Sequence, residues 1–300
     1  MAKSSSVSQP DRNHSPSLSR PILVCLVLFL AVIALRSIDL FALRLDDLPD
    51  PVIVSRILGI ILVLGYLWMI REPISSLGLH AKNIDKAFLI GGLPLIILYS
   101  IIYAVQLFRL NAAGESPQLV FGAINQEIGV MGGTYFTLFY LAGQFFNAFM
   151  EEIIFRGLML PHFMRRFSFW KANILQAFLF GLAHLVFPLS SWVRGQATSG
   201  EALGEAATLL VFTTFGGLIF GYLYYRTGNL WTAVFAHLID NVVGLFFHIQ
   251  TGSRLNAETD VIILGSSIGF IVMAVTAWAV AKRSNLPPLK PWGADKVLSP

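Results

Sequence analysis

The chain alternates long apolar segments with short polar connections along nearly its whole length. Each apolar segment, wound as an α-helix, is long enough to cross or nearly cross a hydrocarbon layer of roughly 30 Å. The pattern therefore predicts an all-α fold, a polytopic transmembrane bundle of about eight spans. The first segment is the shortest, and we expect it to continue past Arg36 towards Leu43. The eight segments are 21–35, 52–70, 87–108, 136–160, 172–188, 206–225, 230–249 and 261–281.

The same pattern divides the chain into a helical domain with a tail at each end. Residues 1–20, rich in Ser and Pro, predict a disordered cytoplasmic tail. Residues 21–283 form the transmembrane helical domain, with its chemically interesting core at 136–250, and residues 284–300 form a second cytoplasmic tail. No small-residue cleavage site follows the first apolar run, so we expect an uncleaved anchor.

Two parts of the chain are predicted to support the core. Residues 21–108 carry few polar side chains inside their apolar runs and are interpreted as supporting helices. Residues 114–133 are apolar but interrupted by Glu115, Pro117 and Glu127, and we expect them to lie along the outer surface of the membrane. The supporting role therefore covers most of the first half.

The basic residues indicate the orientation, because Lys and Arg concentrate in cytoplasmic connections. Five basic residues fall in the opposite connections: Arg36, Arg44, Arg109, Arg194 and Arg254. Both termini are therefore predicted to be cytoplasmic. Fourteen of the 21 basic residues fall on the side of the N-terminal tail: Lys3, Arg12, Arg20, Arg71, Lys82, Lys86, Arg165, Arg166, Lys171, Arg226, Lys282, Arg283, Lys290 and Lys296.

Composition supports a membrane protein and restricts its partners. The chain is 55% hydrophobic and 13% charged, with a mean hydropathy of +0.69, outside the range of soluble domains. The formal charge of +4 needs no nucleic acid to explain it, because basic inner loops face anionic membrane lipid. The single Cys25 excludes an internal disulfide. We expect a multi-pass protein of a cell membrane, with the bacterial inner membrane as its location.

Three ionisable residues inside one apolar run, FNAFMEEIIFRGLML, are the strongest functional signal. Glu152 and Arg156 are four residues apart, so they share a helix face and are predicted to form an ion pair. Glu151 points elsewhere, and a partly desolvated carboxylate is a candidate general acid or base. A structural salt bridge between helices is the alternative. Charges at this depth are costly, which makes a functional site the default hypothesis.

Two later helices carry polar side chains of the same kind. His184 follows Phe180 by one helical turn, with Gly181 allowing close approach of another helix; a lone histidine here is alternatively a packing residue. His237 and Asn241, also four residues apart, place two hydrogen-bond donors on one face. Asp240 lies near that face and is predicted to orient the His237 imidazole.

The other polar residues favour ordinary roles. Arg56 lies near the outer end of its span and is expected to extend its side chain to the surface. His14, His80, His162 and His248 fall in tails, loops or helix ends without matched partners, and are interpreted as surface or interfacial residues.

Three short motifs together resemble a known family, the CPBP intramembrane proteases, which include CAAX prenyl-protein endopeptidases and the Abi or bacteriocin-immunity proteins. They are EExxxR at Glu151–Arg156, FxxxH at Phe180–His184 and HxxxN at His237–Asn241, each on its own predicted transmembrane helix. Each motif is weak alone, but the three in this order are specific. The first 130 residues carry nothing diagnostic of the family.

The resemblance implies a glutamate-dependent peptide hydrolase. Glu151, helped by His184, would activate a water molecule, and His237 with Asn241 would stabilise the oxyanion. Glu152 and Arg156 would hold the helix and the base in place. The family is also described as metal-dependent, and Glu151, His184 and His237 form a His₂Glu set of the type that binds catalytic zinc. No HExxH motif is present, so we favour the metal-free reaction, with zinc as the alternative cofactor.

Two other functions remain open from the sequence. A proton-coupled transporter uses similar buried carboxylates and histidines, although its usual inverted repeat is not evident here. A non-catalytic immunity or scaffold protein is the second. For an enzyme, the partners would be membrane lipid and a membrane-associated or lipidated protein substrate, and the sequence contains nothing that specifies prenylation.

Overall fold

A computed structural model describes residues 21–45, 48–125, 130–252, 254–256 and 259–294, and the predicted N-terminal tail at 1–20 lies outside these ranges. Each of the eight apolar runs falls in a helical segment, which confirms the all-α transmembrane bundle. The helices are α1 (Pro21–Ser37, continued by a π-helical turn Ile38–Leu43), α2 (Ile53–Met69), α3 (Ile84–Gly91), α4 (Leu93–Ala112), α5 (Gly133–Glu151, continued by a π-helix Glu152–Met159), α6 (Leu160–Phe163), α7 (Phe169–His184), α8 (Val186–Val193), α9 (Ser199–Thr227), α10 (Trp231–Phe246) and α11 (Thr259–Arg283).

Helix length supports a membrane location for the bundle. Five helical segments are long and apolar enough to span a membrane: Pro21–Leu43, Ile84–Ala112, Phe169–Val193, Ser199–Thr227 and Leu264–Arg283. The first of these confirms that the helix continues past Arg36 to Leu43. Two shorter apolar helices, α2 and α10, pack among them. The number of crossings and the cytoplasmic location of the termini stay predictions.

Two small antiparallel sheets, one of three strands and one of two, are absent from the sequence interpretation. The strands are β1 (Pro117–Phe121), β2 (Ile124–Asn125), β3 (Val130–Met131), β4 (Phe247–Thr251) and β5 (Arg254–Asn256). β1 pairs with β4, placing Phe121 opposite Phe247, and β4 also pairs with β5. Within the predicted surface segment 114–133, the described residues include three of these strands, and residues 126–129 lie outside the described ranges. The helix predicted over 230–249 ends at Phe246, and β4 follows from Phe247.

Small residues let the helices that carry the motifs approach one another closely. A β-carbon at Gly181 of α7 would collide with Thr214 of α9, and one at Gly91 of α3 would collide with the Thr232 carbonyl of α10. Both glycines therefore allow backbone contact between neighbouring helices, as is common in membrane bundles. The close approach predicted at Gly181 is confirmed, and α10 is held against α3 and α9.

The C-terminal segment 284–294 packs against the bundle. The Leu289 N–H donates to the Tyr225 carbonyl at 2.8 Å, and the Trp292 N–H donates to the Pro161 carbonyl at 3.0 Å. Trp292 is buried, and its ring lies 4.7 Å from the His162 ring in a stacked arrangement. The predicted tail at 284–300 is thus packed over its first part, as far as the structure describes it.

Two basic residues differ from their predicted positions. Arg56 is buried and ion-paired with Asp50, so the prediction that its side chain extends to the surface is wrong. Arg36, assigned to an outer connection, is 2% exposed inside the bundle. An uncompensated charge at that depth would cost roughly 3–5 kcal/mol. Each of these guanidinium groups accordingly has a carboxylate partner.

Candidate active site

The helix that carries the glutamates changes winding at the site. α5 ends at Glu151, and Glu152–Met159 continue as a π-helix in which every residue is buried. π-Helical turns are rare and occur frequently at functional sites. The predicted pair is present: Arg156 Nη1 donates to Glu152 Oε1 at 2.8 Å, and both side chains are inaccessible to solvent. The ion pair predicted from the four-residue spacing is confirmed.

Arg156 also packs against aromatic rings of two other helices. Its guanidinium carbon lies 4.2 Å from the ring centre of Phe180 and 5.4 Å from that of Phe220. Phe180 belongs to the FxxxH motif, so the cation connects the first motif to the second. This contact gives Phe180 a structural role that the motif pattern alone did not specify.

Glu151 has a partner that the sequence interpretation missed. Its Oε1 atom forms an ion pair with Nη2 of Arg36 from α1. Its Oε2 atom is buried and has no hydrogen-bond partner among the described residues. The first helix was interpreted as a supporting anchor, and this contact shows that it reaches the site. A single arginine inside the apolar run 21–43 was the available signal.

His184 faces the same carboxylate from α7. Its Nε2 lies 3.8 Å from Glu151 Oε1, and its Nδ1 lies 2.8 Å from the Phe180 carbonyl oxygen. A carbonyl only accepts hydrogen bonds, so Nδ1 carries the proton of the neutral imidazole. Nε2 then presents its lone pair towards Glu151. The ring stands edge-on to Phe180, with centres 4.7 Å apart.

His237 of α10 lies between the two glutamates. Its Nδ1 is 2.8 Å from Glu152 Oε1, and its Nε2 is 3.5 Å from Glu151 Oε2. The ring stacks on Phe220 at 5.3 Å between centres. His237 therefore contacts both members of the glutamate pair. Spacing within a helix could not predict these contacts, because His237 follows Glu152 by 85 residues.

Asn241 and Asp240, one turn further along α10, have partners of their own. Asn241 Nδ2 donates to Gln144 Oε1 at 3.3 Å. Asp240 Oδ1 accepts from the hydroxyls of Tyr99 at 2.8 Å and Ser266 at 2.7 Å. The position next to the His237 Nδ1 is occupied by Glu152, so the prediction that Asp240 orients the imidazole is wrong. Asp240 instead ties α10 to α4 and α11.

His162 was interpreted as a surface residue, and that interpretation is wrong. It is fully buried, its Nδ1 donates to the Leu158 carbonyl at 2.7 Å, and its Nε2 lies 3.2 Å from the Tyr66 hydroxyl. Trp292 covers the ring from the C-terminal segment. His248 lies in β4, and its Nε2 is 3.1 Å from the Gly122 carbonyl oxygen. Neither contacts Glu151 in the described structure.

The side chains of the site do not fit a zinc ion in this arrangement. Within the ranges that the structure describes, no group of three His, Cys, Asp or Glu side chains has the spacing to hold a metal ion. The Glu151 oxygen nearest His184 is already paired with the Arg36 guanidinium, and a cation bound there would face a fixed positive charge at close range. The predicted set Glu151, His184 and His237 thus converges, and the metal-free reaction stays a prediction.

Part of the chain matches the model of a known family. Residues 133–243, which contain all three motifs, match the family described as Type II CAAX prenyl endopeptidase Rce1-like. The resemblance to CAAX prenyl endopeptidases is confirmed. The matched segment begins at α5 and ends within α10, so the CAAX endopeptidase family match includes Glu151, His184 and His237 but not Arg36.

Individual relatives agree with this CAAX endopeptidase match. CAAX prenyl protease 2 of Arabidopsis thaliana is 30% identical over 124 residues, covering 41% of this chain and 39% of that protein. CAAX prenyl protease 2 of Saccharomyces cerevisiae is 27% identical over 143 residues, covering 44% and 42%. The putative membrane peptidase YdiL of Bacillus subtilis (strain 168) is 24% identical over 198 residues, covering 61% and 72%. No solved structure matches the chain.

Proposed function

We propose that this chain is an intramembrane endopeptidase that hydrolyses a peptide bond with a water molecule activated by Glu151. The observation that carries the proposal is the convergence of Glu151, His184 and His237. Three helices bring two imidazoles within 3.8 Å of one buried carboxylate. The match to CAAX prenyl endopeptidases over the same segment supports a protease rather than a transporter or an immunity protein.

The proposed base is the Oε2 atom of Glu151. It is buried, has no hydrogen-bond partner among the described residues, and lies 3.5 Å from His237 Nε2. A buried acceptor without a partner costs about 1–3 kcal/mol, which a bound water molecule would recover. His184 Nε2, with its lone pair towards Glu151, would accept the second hydrogen of that water. As the water oxygen attacks the peptide carbonyl, Glu151 takes its proton and later passes it to the leaving amine.

The proposed oxyanion stabilisers are His237 and Asn241. His237 Nδ1 donates to Glu152, so donation from Nε2 requires a second proton, and the ring would act as an imidazolium between two glutamates. Asn241 uses one amide hydrogen to bond Gln144 and keeps the other for the oxyanion. Each such donor lowers the barrier by about 3–4 kcal/mol in a site that excludes water.

Glu152 and Arg156 would support this chemistry without taking part in it. Their pair cancels two charges, and Glu152 fixes the His237 ring through Nδ1. Asp240 would contribute by anchoring α10 to its neighbours. In this mechanism no step passes through a metal ion, because the arranged donors do not fit one.

The proposed substrate is a membrane-associated protein that carries a lipid at its cleaved end. Two relatives are named CAAX prenyl proteases, and a buried site between membrane helices suits a substrate anchored in lipid. A farnesylated peptide is therefore the first probe to test. The protein would act within a cell membrane, and the bacterial inner membrane stays the predicted location.

The test compares turnover of an internally quenched farnesylated peptide by purified protein in lipid nanodiscs. We expect the native protein to cleave it and Glu151→Gln to lose about 100- to 10,000-fold in rate. Glu205→Gln is the matched control, because Glu205 is exposed on α9 and belongs to none of the three motifs. Native turnover of Glu151→Gln would contradict the proposal. Comparing membrane peptides from cells with the native or the Glu151→Gln protein would then identify natural substrates.

A further inference from the structure

Arg36 makes three separate contacts around the proposed base. One guanidinium nitrogen pairs with Glu151 Oε1, and the other donates to the Ala183 carbonyl at 3.3 Å. The guanidinium carbon lies 5.4 Å from the Phe187 ring centre. Ala183 directly precedes His184, so one side chain of α1 contacts both the base and the backbone that carries its helper imidazole.

The charges of the site balance in pairs. Glu151 and Glu152 are adjacent and fully buried, and two neighbouring carboxylates in an apolar interior repel each other strongly. Arg156 neutralises Glu152, and Arg36 neutralises Glu151. The other titratable groups that face Glu151 are His184 and His237. Without Arg36, one glutamate would lack a fixed positive partner.

The contact with Arg36 also determines which carboxylate oxygen is available. Because Arg36 holds Oε1, the Glu151 carboxylate is fixed with Oε2 towards His237 Nε2 at 3.5 Å. The fork of the guanidinium suits this task, since it can donate to a carboxylate and a carbonyl at once. A lysine ammonium supplies charge but no planar fork.

We propose that Arg36 is a positioning residue for the peptidase reaction: it bridges Glu151 Oε1 and the Ala183 carbonyl, and so aims Glu151 Oε2 at the reacting water. This inference rests on the proposed function. It extends the working site to α1, outside the segment matched by the CAAX endopeptidase family. Arg36 contacts no substrate in this role and acts only through Glu151 and His184.

The experiment compares Arg36→Gln with Arg56→Gln in nanodiscs, using the farnesylated quenched peptide. Arg56 is the matched control, because it is also a buried arginine paired with a carboxylate, that of Asp50, and belongs to none of the three motifs. We expect Arg36→Gln to lose about 100-fold in kcat with KM changed less than about threefold, the size of effect that misplacement of a catalytic group produces. Arg56→Gln should lower thermal stability while its folded fraction keeps kcat within about threefold.

Arg36→Lys separates positioning from packing. We expect a kcat about tenfold above Arg36→Gln and about tenfold below the native value, at near-native thermal stability. If Arg36→Gln does not accumulate, Arg36→Lys decides alone: native kcat would overturn the proposal, because one ammonium cannot replace the fork.

Failure of the inference can be told apart from failure of the proposed function. Native kcat in Arg36→Gln, beside an inactive Glu151→Gln, would overturn the role of Arg36 only. An equal loss of kcat in Arg56→Gln would also overturn it, since any buried arginine would then have the same effect. Native turnover of Glu151→Gln would overturn both.

Discussion

Removing one member of the Glu152–Arg156 pair should destabilise the protein more than removing both. Each side chain is 0% exposed, and their contact is 2.8 Å. Breaking a buried pair leaves one unpaired charge and costs about 3–5 kcal/mol, whereas replacing both partners removes the charges together. The two single variants should also differ, because the partners that remain are different.

The structure gives the order of the two losses. In Arg156→Gln, Glu152 keeps the His237 Nδ1 contact at 2.8 Å, so we expect the free energy of unfolding to fall by about 3 kcal/mol. In Glu152→Gln, Arg156 keeps the rings of Phe180 and Phe220 and a neutral amide oxygen in place of the carboxylate, so its charge has lost its counter-ion and we expect a loss of about 4–5 kcal/mol. The double variant should lose less than either single variant, about 2 kcal/mol, because both charges are removed together.

The assay uses the only cysteine of the chain. Cys25 is fully buried, so a dye that fluoresces on reaction with thiols reports unfolding in detergent without any added label. A loss of about 4 kcal/mol corresponds to a midpoint lower by about 8–16 °C on the scale of soluble domains. Glu205→Gln serves as the control, and its unfolding midpoint should equal that of the native protein. Equal midpoints for the native protein and all three variants would refute the buried pair, and strictly additive losses would refute the coupling.

Three further predictions address the chemistry and the orientation. In steady-state kinetics, Asn241→Ala should lower kcat by about 100-fold with little change in KM. Gln144→Leu should lower kcat by less, because it only frees the Asn241 amide. A change in KM alone for Asn241→Ala would argue against an oxyanion role. Treatment with a zinc chelator should leave turnover unchanged, whereas loss that added zinc restores would support the metal alternative. With Cys25 replaced by Ser, a cysteine at Ser168 should be shielded from an impermeant thiol reagent in intact cells and one at Ser191 should label; the opposite pattern would invert the orientation.

The helical architecture was predictable because it depends on local properties of the chain. Segment length and apolar content predicted the helical bundle and the extension of the first helix to Leu43, and five of the described helical segments are long and apolar enough to span a membrane. The two small sheets were missed because their strands are short. Strands of two to five residues are too brief to show an alternating pattern. β1 and β4 also pair across more than one hundred residues of sequence, a separation that local patterns do not register.

The candidate site was predictable only where its contacts lie within one helix or follow a motif. The four-residue spacing gave the Glu152–Arg156 pair correctly. Arg36 lies in a region without a motif, and its charge was assigned to a loop by the same counting that set the orientation. Asp240 was predicted to orient His237 because it lies three residues away on the same helix, whereas Glu152 of another helix occupies the His237 Nδ1 position and Asp240 accepts from Tyr99 and Ser266.

The contact between Trp292 and His162 has a consequence for biosynthesis. His162 lies at the end of the helical segment that carries the glutamates, while Trp292 is translated only after every helix of the bundle. Until the last helix has been synthesised, the His162 ring and the Pro161 carbonyl therefore lack their contacts with Trp292. The contacts that Trp292 makes with Pro161 and His162 can therefore form only after α11 has been synthesised.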